Sequence, residues 1–138
     1  MNDDILALVP LLVGVVLIPT VGVLVTRMAA EGNIARNGAA GIRPRHTKAS
    51  EAAWVAGHAA ALPRVSTTVP IAVGTLVAAG AATLLGGSGW GVGVGMAGFL
   101  AETAVLISAT GPADSAARQA TATSTGGSEH VPDSQDRP

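Results

Sequence analysis

ILALVPLLVGVVLIPTVGVLVT, residues 5–26, and VSTTVPIAVGTLVAAGAATLLGGSGWGVGVGMAGFLA, residues 65–101, contain no Asp, Glu, Lys or Arg. These two runs decide the fold. As a helix, the first would be about 33 Å long, close to the roughly 30 Å hydrocarbon core of a bilayer. It reads as a transmembrane helix over about residues 5–28. The second would make a helix of about 55 Å, too long for one crossing, and apolar character resumes beyond Glu102 as far as Ala109. The chain must double back. Gly86-Gly87-Ser88-Gly89-Trp90-Gly91 offers the turn, because its glycines and serine favour one and Trp90 suits a lipid–water boundary. Helices near 66–85 and 90–110 follow, and the expected fold is an all-α membrane protein with three transmembrane helices.

The composition agrees. Of 138 residues 49% are hydrophobic and only 12% charged, with mean hydropathy +0.48, whereas a soluble domain carries about a quarter charged residues. A net charge of -1 supplies no field for nucleic acid, and the absence of cysteine excludes disulfides, thiolate metal sites and thiol nucleophiles. The cations are one-sided. Arg27, Arg36, Arg43, Arg45, Lys48 and Arg64 fall between the first two helices, and none lies in the first four residues or the glycine turn. The positive-inside bias then places this loop in the cytoplasm, the N-terminus outside and the C-terminus inside, in a multi-pass protein of the cell membrane. A cleaved signal peptide is not expected, since Asp3 and Asp4 precede an overlong apolar run. Residues 111–138, rich in Ala, Ser, Thr, Gly and Asp, are expected to form a disordered cytoplasmic tail.

Helices in lipid associate through close approach at small residues. Gly74, Ala78, Ala82 and Gly86 recur every fourth residue on the second helix, as do Gly93, Ala97 and Ala101 on the third, so these two faces are expected to meet in an antiparallel hairpin. Pro10 and Pro19 lie in the first helix; Pro19 removes a backbone hydrogen bond, with Thr20 placed to satisfy the freed carbonyl. Glu102 is the intramembrane polar residue. An ionised carboxylate there costs several kcal/mol, which implies pairing with a loop cation such as Arg64 or Arg43, or a neutral carboxyl hydrogen-bonded to a threonine.

Residues 32–64 hold most of the side chains capable of specific recognition. Gly38, Gly41 and Pro44 make the first half a loop. Ser50 reads as an N-cap with Glu51 in the first turn, opening a short interfacial helix over about 51–62 that ends at Pro63. On that helix Trp54, His58 and Ala61 share one face, with Trp54 expected at the membrane surface. Arg43 in a constrained turn suits a bidentate carboxylate or phosphate, Glu51 or a lipid headgroup being the nearest candidates. His46 and His58 are twelve residues apart without zinc-site spacing, so neither a metal nor a cofactor is expected.

In this loop the chain resembles the SdpI/YhfL family, small bacterial membrane proteins named after an immunity protein against a secreted peptide toxin. Asn37, Gly41, Ile42, Arg43, Thr47, Ser50, Glu51, Trp54 and His58 fit the family pattern, and the surrounding helix order extends the likeness to about residues 5–110. Pro44 and Arg45 depart from it, and the family's best-studied member has further membrane helices. The resemblance implies peptide-toxin immunity or membrane signalling through the cytoplasmic loop, with the bilayer and a peptide toxin or another membrane protein as partners. The alternative is a structural accessory subunit packing against a larger membrane complex through its Gly/Ala faces. Enzymatic activity is not expected, since no phosphate loop and no nucleophile beside a base is present.

Overall fold

The computed structural model describes residues 3–34 and 46–126, as five helices: α1 (Asp3–Ala30), α2 (Glu51–Ser66), α3 (Thr68–Gly86), α4 (Ser88–Ser108) and α5 (Thr110–Gly126). No strand occurs among the described residues. Three stretches are long and apolar enough to cross a membrane: Ile5–Ala30, Glu51–Gly86 and Ser88–Ser124. The last two are rods of paired helices, α2 with α3 and α4 with α5. Gly87 joins them, and its φ of 93° is open to glycine at no steric cost. The rods run antiparallel, so α3 lies on α4 and α2 on α5, while α1 packs against both rods. α1 runs alongside α4 in the same direction, Gly14 facing Phe99 and Gly22 facing Leu106.

Each rod is broken three residues before a proline. Thr67 N–H bonds back to Arg64 O (3.1 Å), and Pro70 is the third residue of α3; Ala109 N–H bonds to Val105 O and Leu106 O, and Pro112 is the third residue of α5. A proline in a first turn needs no N–H partner but cannot continue the ladder from the preceding helix. The carbonyl that Pro112 leaves without a donor, Ser108 O, accepts from the Arg64 guanidinium of the opposite rod at 3.3 Å. Pro63 does not end α2 as the sequence suggested; the helix runs through it to Ser66, and Ser66 Oγ donates to Leu62 O (2.8 Å). α1 is likewise continuous through Pro10 and Pro19. The Thr20 hydroxyl donates to Val16 O (2.7 Å), not to the Val15 carbonyl that Pro19 frees, because its reach is one turn back from position 20.

The hairpin does not meet on the expected small faces. Gly74, Ala78, Gly93, Ala97 and Ala101 are exposed, and the contact is made by Thr75, Ala79 and Thr83 of α3 against Gly91 and Gly98 of α4, while Gly95 of α4 faces Leu11 and Leu12 of α1. A Cβ on Gly98 would overlap Thr75 and one on Gly91 would overlap Thr83, so these glycines let the backbones touch. Outside that seam the bundle is apolar: Leu6, Val9, Val73, Val77, Leu84, Leu85, Leu100 and Ile107 are each at least half exposed. Apolar surface on this scale is unsuited to water and suited to lipid.

Residues 110–126 form α5, where the sequence suggested disorder. Ala109, Ala113 and Ala117 recur every fourth residue and are fully buried, Ala109 and Ala113 in one cluster with Ala61 and Val65 of α2. Their small side chains bring the α5 backbone close to α2, and that closeness substitutes for bulky apolar area. Residues 127–138 lie outside the described residues.

Candidate functional site

At the end of the molecule away from Gly87, α1, α2, α5 and residues 46–50 close around Trp54. The local cause is Ser50: extended at φ -150° and ψ 168°, it caps α2 by accepting the Ala53 N–H at its Oγ (3.0 Å), as its place before Glu51 suggested. Once α2 starts there, Trp54, His58, Ala61 and Val65 fall on one face, and all are fully buried. The Trp54 indole donates through Nε1 to Ile34 O (2.8 Å), and its ring lies 4.1 Å from the His58 ring at 46°. His58 Nδ1–H donates to Trp54 O (2.9 Å), which fixes the proton on that nitrogen. Trp54 is therefore not on the surface of the protein, where the sequence suggested it would face a membrane boundary. Its apolar body is enclosed and its single donor is satisfied from within, the usual condition for burying an indole.

Thr47 is fully buried beside Gly57. A Cβ on Gly57 would stand 2.7 Å from Thr47 Cγ2 and 3.0 Å from Ala113 O, so this glycine admits both the incoming loop and α5. One residue earlier, His46 Nδ1 lies 2.8 Å from Asp114 Oδ1, and Arg118 grips the other carboxylate oxygen with Nη2 at 2.7 Å. The segment 35–45 is thus held at both ends, Ile34 by Trp54 and His46 by α5.

Thr47, Ser50, Trp54 and His58 of the candidate set come together here, and Glu51 is exposed in the first turn of α2. Asn37, Gly41, Ile42 and Arg43 lie outside the described residues. Sequence reasoning missed Asp114, Arg118 and Gly57; the signal for the first two was an acid and a base four residues apart in an otherwise uncharged stretch. Glu102 is fully buried, but Arg64 does not pair with it, being exposed and bonded to Ser108 O. No threonine serves it either, since neither carboxyl oxygen has a hydrogen-bond partner. Among the described residues no group of three His, Cys, Asp or Glu side chains could hold a metal ion. Comparison with known proteins finds no family model, no curated protein and no solved structure that matches the chain.

Proposed function

We propose that the chain is an SdpI-like protein of the bacterial cell membrane, crossing it three times through α1, α3 and α4, with α2, α5 and the loop on the cytoplasmic side. Its function is peptide-toxin immunity or membrane signalling through the loop. The observation that carries this reading is the clamp on both sides of segment 35–45. The buried motif residues Thr47, Trp54 and His58, with the half-buried cap Ser50, build a mount, and the sequence between Ile34 and His46 carries Arg36, Arg43 and Arg45. A cationic sequence whose flanking residues are bonded to the mount suits recognition of a carboxylate or phosphate. No catalytic role is assigned to any residue.

Gene deletion followed by challenge with membrane-active peptides tests this. The deleted strain should become sensitive, the intact gene should restore resistance, and an Arg43→Ala copy should not. Equal sensitivity in all strains removes the immunity reading.

One observation favours a second reading, a structural accessory subunit. The exposed stripes Gly74/Ala78 and Gly93/Ala97/Ala101 are small-residue faces that no described helix covers. Purification in mild detergent should then bring down a larger membrane protein; recovery of the chain alone opposes that reading.

A further inference from the structure

Glu102 takes no part in the mount. It lies fully buried on the α4 face that carries Gly91, Gly95 and Gly98, with both carboxyl oxygens unpartnered. Three donors of the bundle are engaged elsewhere: Arg64 on Ser108 O, the Thr103 hydroxyl on Phe99 O (2.8 Å) and the Thr68 hydroxyl on Val65 O (2.7 Å). A hydroxyl has one proton to donate, so neither threonine can also serve the carboxyl. A bare carboxylate among apolar groups in lipid is strongly disfavoured, whereas a neutral acid carries no charge to solvate. A metal cation would need several oxygen ligands, and among the described residues no group of three His, Cys, Asp or Glu side chains could hold one.

The packing register places the carboxyl within the bundle. Gly98 against Thr75 puts Glu102 one turn farther along, level with Ala72, and Gly14 against Phe99 with Gly22 against Leu106 puts it level with Leu17 and Ile18, midway along α1.

We propose that Glu102 is a proton-binding site, a neutral acid held within the bundle. The ligand is the proton alone, and binding converts carboxylate to carboxylic acid with no other bond made or broken. The inference rests on the three-crossing reading but not on the identity of the loop's partner.

The test is infrared spectroscopy of the chain, isotopically labelled at glutamate carboxyls, in vesicles of phosphatidylethanolamine and phosphatidylglycerol at neutral pH. The label separates protein bands from lipid ester carbonyls. The wild type should show a carboxylic-acid band that shifts in D2O and is unchanged when sodium replaces choline. Glu102→Gln should lack this band, and Glu102→Asp should move it out of the labelled set. Absence of the band, failure to shift in D2O, or its loss in sodium would overturn the proposal, the last by showing a cation site. Protein that stays out of the vesicles would overturn the three-crossing reading itself, an outcome distinct from a missing band in protein that inserts.

Discussion

The two ends of this molecule are held by different physics. Around Trp54 the joints are hydrogen bonds between named groups: indole to Ile34 O, imidazole to Trp54 O, Ser50 to Ala53 N–H, His46 to Asp114. Between α3 and α4 the contact is close backbone approach, Gly91 against Ala79 and Thr83 and Gly98 against Thr75. At the first a directional bond fixes one geometry; at the second close approach over many atoms does so. The first kind of joint fails by losing a partner, and the second by gaining an atom.

Substitutions should separate the two kinds. Trp54→Ala removes a fully buried ring and its bond to Ile34 O together, and should cost about 4 kcal/mol in a denaturant titration, with faster hydrogen exchange confined to α2 and α5. Trp54→Phe keeps most of the packing and should cost only about 1 kcal/mol. At the other end, Gly98→Val should destabilise by about 3 kcal/mol or more, because its branches meet Thr75 and the β-branched neighbour has no room to move. Gly74→Val on the same hairpin should leave the melting midpoint unchanged, since nothing lies within 4 Å of its added Cβ. Equal losses for both glycines would refute the assignment of faces. Gly57→Ala stands between the two kinds, in the mount but dependent on close approach. It should cost about 2 kcal/mol and loosen α5 specifically, visible as proteolysis within 110–126.

Smaller effects follow. Ser50→Ala should cost about 1 kcal/mol, with fraying restricted to the first turn of α2. The weakest is titration of Asp114. The hydrogen bond from His46, aided by Arg118, holds its carboxyl below the ordinary carboxylate range. A depressed carboxylate contributes stability above its unfolded value of about 3.9, and that contribution disappears as pH falls through the lower folded value. α5 should therefore loosen in acid below about pH 4, and Asp114→Asn should abolish the pH dependence of its hydrogen exchange.

What could be read in the chain followed the same division. The uncharged runs and the glycine turn were legible because removal from water leaves a composition signal, and Ser50 was legible because a cap is a local interaction. The seam of the hairpin was not. A helix apolar on all sides has no moment to orient it, and Gly74 and Gly98 differ only in what the fold sets beside them. α5 was misjudged for a related reason: Ala109, Ala113 and Ala117 bury little area each, so their sequence resembles solvated chain until Gly57 lets α2 approach. Trp54 was placed at a surface because indoles favour lipid boundaries, and its acceptor, Ile34 O, is a backbone atom that side-chain chemistry cannot announce. Arg43, Asn37, Gly41 and Ile42 stay where the sequence left them, outside the described residues.

The proline-linked breaks at Thr67 and Ala109 carry one mechanical consequence. They face each other within about one helical turn across the two rods, and the Arg64–Ser108 bond spans them. Helices resist bending along their length, so angular strain between the α2–α5 pair and the α3–α4 pair gathers at this single knuckle. A load applied at the loop would bend the rods here first, with the Arg64–Ser108 bond and the unbroken α1 as the ties across the joint.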